Sequence, residues 1–212
     1  MPGIPLNRST LLRLGGFRAG LPPLVCLTDA RRFPDPKPAI RRLPRGSLVI
    51  FRHYEMKKKE RYALAGEVAA LCRARGLRLL VAGDAALALA VRADGLHLPE
   101  WLARGPVSRG WAWRRRKPGW LLTAAVHSER ALEAAARQRA DAALLAPVFS
   151  TASHAQAKPL GSVRFASLAR RTALPVYALG GIGPTNVRRL MGSGAVGLAA
   201  VGAFAKDADT PT

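Results

Sequence analysis

Three glycines near the end of the chain form the arrangement best suited to ligand binding. Gly180, Gly181 and Gly183 follow the apolar residues 175–179, and Pro184 is typical of the first turn of a helix. Glycines leave backbone N–H groups unshielded, and a helix N-terminus favours negative charge, so the turn is suited to a phosphate. The alternative is that these glycines serve only a tight turn, and the turn alone does not decide between the two.

The glycine turn belongs to a chain in which short apolar strands alternate with helices. Runs without polar alternation are typical of parallel strands that are buried on both faces. They fall at residues 24–28, 47–52, 77–82, 95–98, 120–125, 141–148, 175–179 and 195–201. Eight such units predict an α/β fold, a closed (βα)8 TIM barrel in a single domain. We expect residues 22–205 to form the barrel, 1–21 a basic and poorly ordered leader, and 206–212 a C-terminal tail.

Polar residues directly after the strands of such a barrel face its catalytic mouth. Arg52, His53 and Tyr54 follow the second predicted strand, and His127 follows the fifth. Asp84, after the third strand, is predicted to cap the next helix. The mouth is therefore the expected place for a site.

The chain is strongly basic, with 34 Lys and Arg against 13 Asp and Glu and a net charge of +21. Such a field attracts anions, including phosphorylated metabolites and nucleic acid. Residues 109–120 interleave tryptophan with arginine, as surfaces for single-stranded nucleic acid do, but a solvated loop is the simpler interpretation. No apolar run approaches the ~20 residues of a membrane span. Cys26 and Cys72 stand alone, as reduced thiols of a cytoplasmic protein do.

Several short motifs, taken together and in order, resemble the thiamine phosphate synthase and thiazole tautomerase superfamily. The resemblance covers roughly residues 22–205. Its motifs are LTD at 27–29, Arg52, ADGLHL at 93–98, VHS at 126–128, AD at 140–141, PVFSTAS at 147–153, ALGGI at 178–182 and AAV at 199–201.

The resemblance implies a barrel that binds a thiazole phosphate and a pyrimidine diphosphate and condenses them, with Mg²⁺ as cofactor if the chain is an active synthase. Gly180 and Gly181, with the backbone around Ala200 and Val201, would hold the thiazole phosphate. Thr151 and Ser153 would line the same pocket, and Arg52 would face the diphosphate. The expected partners are these small phosphorylated metabolites, with a homo-oligomer left open and neither nucleic acid nor a membrane expected.

The chain departs from the synthase pattern at the diphosphate and metal positions. The family's Gln-x-Arg-x-Lys after strand two is Ile50-Phe51-Arg52-His53-Tyr54 here. Tyr54 is therefore expected to reshape this pocket. Of the family's two magnesium-binding Asp positions, Asp84 fits the first only with a one-residue slip, which makes it a weak metal candidate.

The tautomerase branch of the superfamily carries a catalytic His where this chain has Pro147. His127 and His154 remain as candidate acid–base groups, because a histidine with a pKa near neutrality can transfer a proton. The alternative for His127 is a capping or packing role. Three functions therefore stay open: a synthase, a tautomerase-like enzyme, and a non-catalytic or regulatory protein that binds a phosphorylated ligand.

Overall fold

The computed structural model describes residues 13–16, 18–32, 34–103, 115–151 and 158–201. Its strands are β1 (Leu24–Leu27), β2 (Leu48–Phe51), β3 (Arg78–Ala82), β4 (Gly95–Leu98), β5 (Leu121–Val126), β6 (Ala142–Leu145), β7 (Val176–Leu179) and β8 (Gly197–Ala200). Its helices are α1 (Lys37–Arg41), α2 (Lys58–Arg75), α3 (Ala85–Ala90), α4 (Glu100–Ala103), α5 (Glu129–Arg137) and α6 (Gly161–Arg171), with a 3-10 helix at Val187–Leu190.

The eight strands form one closed barrel in sequence order, with β1 paired to β8. Every neighbouring pair is parallel. The predicted (βα)8 TIM barrel is confirmed. The strands are apolar because each has one face in the barrel interior and the other under helices.

Two apolar layers make up the core. The inner layer fills the barrel and consists of strand residues, including Val25, Leu48, Leu80, Leu144 and Tyr177. The outer layer joins the other strand faces to the helices. Such a filled interior leaves the strand ends, rather than the barrel centre, to build a site.

The longest described helix, α2, has 18 residues and is capped at its C-terminal end by Gly76, which has a left-handed φ of 63°. The Gly76 N–H donates to the Arg73 carbonyl and the Leu77 N–H to the Cys72 carbonyl, which closes the helix end. None of the helices in the described part of the chain has the length and apolar character that a membrane crossing requires.

The predicted helix after the glycine turn is much shorter than expected. Instead of a helix that begins at Pro184, the structure has a four-residue 3-10 helix at Val187–Leu190. The Asn186 side chain binds the backbone of the preceding turn and so competes with helix formation there. A phosphate at this turn would therefore depend on the turn itself and not on a helix dipole.

Part of the predicted leader packs against the barrel. Leu14 is fully buried, and Gly15 pairs with Ala195 in a parallel bridge just before β8. The N–H groups of Gly192 and Gly194 donate to the carbonyls of Arg13 and Leu14. This segment lies against the N-terminal end of the barrel, and the division of the chain at residue 22 stays a prediction.

Candidate functional site

The C-terminal ends of the parallel strands meet at one face of the barrel and form its mouth. The structure places there Thr28 after β1, Arg52 after β2, Asp84 after β3, His127 after β5, Gly180 after β7 and Val201 after β8. These residues are separated by up to 173 positions in sequence and are brought together only by closure of the barrel.

Arg52 is held at the mouth by the end of β1. Its Nη2 donates to Asp29 Oδ2 at 2.7 Å and its Nε to the Thr28 carbonyl at 2.9 Å. The Thr28 hydroxyl accepts from the Arg52 backbone N–H and lies 2.9 Å from His53 Nδ1. His53 is buried and stacks on Phe51, with ring centroids 4.9 Å apart. The Arg52 guanidinium is therefore a fixed cation, as recognition of an anionic group requires.

Arg61, in the first turns of α2, joins the ends of β2 and β3. Its Nη1 donates to Asp84 Oδ2 at 2.9 Å, and its Nη2 donates to the carbonyls of Ala82 (3.1 Å) and Arg52 (3.3 Å). The guanidinium carbon lies 5.7 Å from the centre of the Tyr54 ring, which is about half exposed. Tyr54 is thus placed at the mouth beside a second fixed cation.

Asp84 has both carboxylate oxygens engaged. Oδ1 accepts the Leu87 N–H at 2.9 Å and caps α3 as predicted, while Oδ2 accepts from Arg61. Asp29 is paired with Arg52, and Glu100 Oε2 lies 3.5 Å from His127 Nε2. Among the residues that the structure describes, no three His, Cys, Asp or Glu side chains group as a metal site would. These residues do not fit a Mg²⁺ ion held by the protein, which needs several oxygen ligands in near-octahedral geometry.

Of the two candidate acid–base groups, His127 is the one that the structure describes. Its Nδ1 lies 2.8 Å from the Ala146 carbonyl oxygen, so Nδ1 carries the proton and donates it there. Nε2 then points toward Glu100 from a ring that is 40% exposed. The ring is oriented and reachable from the mouth. His154 and Ser153 lie outside the described residues, whereas Thr151 is described and half-buried.

His97 lies in the barrel wall, one residue before the C-terminal end of β4. It is fully buried in β4, where its Nδ1 is 2.9 Å from the Thr123 hydroxyl of β5. Burial, with a smaller contribution from the positive charge of Arg52, lowers its pKa from 6.5 to about 3. A neutral, hydrogen-bonded histidine in the barrel wall has a structural role.

The glycine turn packs tightly against the loop that follows β6. Gly180 and Gly181 have φ values of 96° and 67°, a region that favours glycine. A Cβ on Gly180 would lie 2.9 Å from the Pro147 Cα, and one on Gly181 would lie 2.4 Å from the Ser150 carbonyl oxygen. The tight turn is thus one reason for both glycines.

The same turn also presents donors at the mouth. Within the described ranges, no residue accepts a hydrogen bond from the N–H of Gly181 or of Val201. The register that pairs Leu179 with Ala199 brings Gly180 beside Ala200, the last residue of β8. These backbone donors therefore lie at two adjacent strand ends, and unpaired backbone N–H groups of this kind can bind an anion.

Asn186 holds the glycine turn in shape. Its Oδ1 accepts from the Gly183 N–H at 2.9 Å, and its Nδ2 donates to the Gly181 carbonyl at 2.8 Å. The sequence offered a signal for this residue, because an Asn shortly after a glycine turn often binds local backbone. It offered none for Arg61, which is one of many basic residues on α2.

Comparisons with known proteins agree with this architecture. A family model described as "Thiamine monophosphate synthase" matches residues 28–204. A relative from Aquifex aeolicus, "Putative thiamine-phosphate synthase 2", is 33% identical over 187 residues, which cover 87% of this chain and 98% of that protein. A "Thiamine-phosphate synthase" from Syntrophomonas wolfei is 31% identical over 74% of each chain. The chain spans only 45% of a similar protein from Prochlorococcus marinus, at 32% identity.

Among solved structures, "Thiamine phosphate pyrophosphorylase" from Pyrococcus furiosus superposes with a TM-score of 0.72 and covers 92% of this chain and 91% of that one. At 23% identity, that likeness bears on the fold alone. The family match spans most of the chain, and the Aquifex relative is aligned over nearly its whole length. The resemblance seen in the sequence motifs is confirmed: this chain belongs to the thiamine monophosphate synthase family.

Proposed function

We propose that the chain condenses a thiazole phosphate with a pyrimidine diphosphate, as a thiamine phosphate synthase-like transferase. The observation that carries this proposal is the glycine turn after β7, in the mouth of a barrel of this family. The N–H of Gly181 in this turn and the N–H of Val201 after β8 donate to no acceptor in the described part of the chain, which supports a phosphate site there. In the reaction, the thiazole nitrogen forms a bond to the carbon that carries the diphosphate. The C–O bond breaks, and pyrophosphate leaves with the electron pair.

We assign to each candidate residue the role that the family resemblance implies for it. The backbone at Gly180, Gly181, Ala200 and Val201 would hold the thiazole phosphate, with Thr151 and Ser153 beside it. Arg52 would bind the diphosphate, because a planar guanidinium suits phosphate oxygens, and Tyr54 would form the pocket wall. Such a site works mainly by positioning the two reactants and by stabilising the charge of the leaving group. Asp84 as a metal ligand stays a prediction that its two engaged oxygens do not favour.

A tautomerase-like enzyme is the second candidate, favoured by the oriented and reachable ring of His127. Tautomerisation moves a proton between two atoms of the substrate, so it needs an acid–base group, whereas the condensation at nitrogen does not. His154 is the other candidate for that role. A non-catalytic binding protein would keep the glycine turn and show neither activity.

The cellular compartment and the domain limits are part of the same proposal. Neither Cys26 nor Cys72 is in a disulfide, and burial raises the pKa of both thiols to about 12, so they are unreactive. Reduced, buried cysteines support a cytoplasmic protein that acts on small metabolites. We include in this proposal a barrel domain at 22–205 between the leader 1–21 and the tail 206–212.

The test is calorimetric titration of the full chain with thiazole phosphate, followed by an assay for thiamine phosphate. We expect the wild type to bind and Gly181→Ala to lose binding, because a Cβ there meets the loop after β6 and displaces the donors. Gly183→Ala is the matched control, since nothing lies within 4 Å of a Cβ at that position.

Equal affinity in wild type and Gly181→Ala would remove the proposed phosphate site. Binding without formation of thiamine phosphate would reject the synthase in favour of the binding protein. Loss of a tautomerase activity in His127→Gln, with no condensation in the wild type, would support the second candidate instead.

A further inference from the structure

The part of the mouth next to the first three strands is positively charged before any ion binds. The loops after β1, β2 and β3, together with the first residues of α2 (28–36, 52–61 and 83–84), contain seven Lys and Arg and five Asp and Glu. Both acidic residues nearest the strand ends are neutralised by arginine, Asp29 by Arg52 and Asp84 by Arg61. This region has the electrostatics of an anion site rather than of a cation site.

Arg61 is the most firmly held of these cations. Its side chain is only 11% exposed, and it donates to three acceptors at the ends of β2 and β3. Its Nε is buried without a hydrogen-bond partner in the described part of the chain, so the guanidinium retains one donor that the protein does not use. A charge fixed in this way costs no reorganisation when an anion arrives.

The same ion pair disfavours a divalent cation. One oxygen of Asp84 caps α3 and the other accepts from Arg61 at 2.9 Å. A metal ion at Asp84 would have to displace these donors and approach a guanidinium of like charge in a partly buried site, where Coulomb repulsion is weakly screened.

We propose, building on the function proposed above, that the chain binds the diphosphate of its substrate without a divalent cation, with Arg61 and Arg52 supplying the positive charge. Arg52 contacts the diphosphate, and Arg61 acts through its charge and through the position it gives to Asp84. The leaving pyrophosphate is then stabilised by groups of this chain alone.

The experiment is calorimetric titration of the full chain with inorganic pyrophosphate, once in EDTA and once with excess Mg²⁺. We expect binding in EDTA to be within about three-fold of that with Mg²⁺, because the fixed guanidinium groups already match the charge. A tightening by Mg²⁺ of about ten-fold or more, or no binding in EDTA, would overturn the proposal.

Variants of the ion pair test the role of Arg61. In Arg61→Gln we expect binding in EDTA to weaken by about ten-fold, since one nearby positive charge is lost. Mg²⁺ should then restore part of the affinity, because Asp84 is no longer neutralised. The double variant Arg61→Gln with Asp84→Asn should lose this response to Mg²⁺, which a merely structural role of Arg61 does not explain.

Arg164→Gln, at an exposed position on α6, is the matched control for the loss of one positive charge. If Arg61→Gln binds pyrophosphate as Arg164→Gln does in both buffers, the role of Arg61 is wrong. If Arg61→Gln does not fold, Arg61→Lys replaces it, which keeps the charge and should bind pyrophosphate in EDTA. The titrations of the wild type in EDTA and in Mg²⁺ still test whether binding needs the cation.

The proposed function fails separately. Pyrophosphate binding in EDTA without thiazole phosphate binding would leave this inference standing and reject the condensation. Formation of thiamine phosphate together with pyrophosphate binding that needs Mg²⁺ would support the condensation and reject this inference.

Discussion

At the level of single residues, acidic side chains at the mouth each face a basic side chain. Asp29 faces Arg52, Asp84 faces Arg61, and Glu100 faces His127. Such pairs restrict the motion of long side chains, so the two guanidinium groups are held in place before a ligand binds. In the proposed function, this preorganisation is what individual side chains contribute to binding of the phosphorylated reactants.

His97 shows how burial controls a single side chain. It lies in the barrel wall against Thr123, and its pKa is lowered to about 3. In the unfolded chain the same residue titrates near 6.5, so between these values the unfolded state binds the proton and the folded state does not. Its contribution to stability is complete above the unfolded pKa and is lost as the pH falls.

We therefore expect acid to destabilise the protein partly through His97. Between pH 7 and pH 5, this residue should lower the free energy of unfolding by about 2 kcal/mol. Urea titrations of wild type and His97→Gln at both pH values measure the effect. The variant should lose less stability on acidification than the wild type, and an equal loss in both would contradict the assignment.

At the level of elements, the N-terminal ends of β4 and β6 are held to the preceding strands by side chains as well as by the backbone ladder. Asp94, just before β4, accepts the Leu79 N–H of β3, and Asp141, just before β6, accepts the Leu122 N–H of β5. These contacts give a structural reason for the acidic residues in two of the family motifs. They align the strands and act far from the mouth.

Gly95, the first residue of β4, allows β4 and β5 to approach closely. A Cβ there would lie 1.9 Å from the Leu121 carbonyl oxygen. Because that neighbour is backbone, the clash can be relieved only by moving a strand.

We expect Gly95→Ala to destabilise the protein by about 3 kcal/mol or more, since a large loss follows from overpacking against a strand. Gly66→Ala is the matched control, because Gly66 lies in α2 with nothing within 4 Å of a Cβ. That change should stabilise the helix by about 0.5–1 kcal/mol. The melting temperatures of the two variants measure the difference, and similar values would contradict the close approach of β4 and β5.

At the level of the whole molecule, the segment before β1 packs against the N-terminal end of the barrel. Leu14 is fully buried beside the entry of β8, and the hydroxyl of Tyr177, inside the barrel, donates to the Pro22 carbonyl at 2.7 Å. Burial also raises the pKa of Tyr177, which therefore stays protonated. The N-terminal end of the barrel is thus covered by packing, whereas the charged side chains lie at the C-terminal mouth.

Leu14→Ala tests whether this segment belongs to the folded unit. We expect a loss of about 2–5 kcal/mol in the free energy of unfolding, as for other fully buried leucines. Arg13→Ala, at an exposed neighbouring position, should change stability by less than about 0.5 kcal/mol. Equal stabilities of the two variants in urea would show that the leader does not contribute to the core.

The sequence by itself determined the features that depend on local chemistry. Uninterrupted apolar runs and their spacing predicted the eight strands and the barrel, and the positions of Asp84 and Gly76 predicted a helix start and a helix end. The glycine turn after β7 could also be predicted from local sequence, because glycine is favoured where the backbone has a positive φ. Such signals lie within a few residues of one another.

Only the tertiary structure decided which of these residues meet. Arg61 and Asp84 are 23 positions apart, and their pairing depends on how α2 packs over the ends of β2 and β3. The burial of His97 and Leu14 likewise depends on barrel closure, because a side chain is desolvated only when distant strands surround it. The short 3-10 helix after the glycine turn was also decided there, since Asn186 binds the Gly181 carbonyl in place of a helix start.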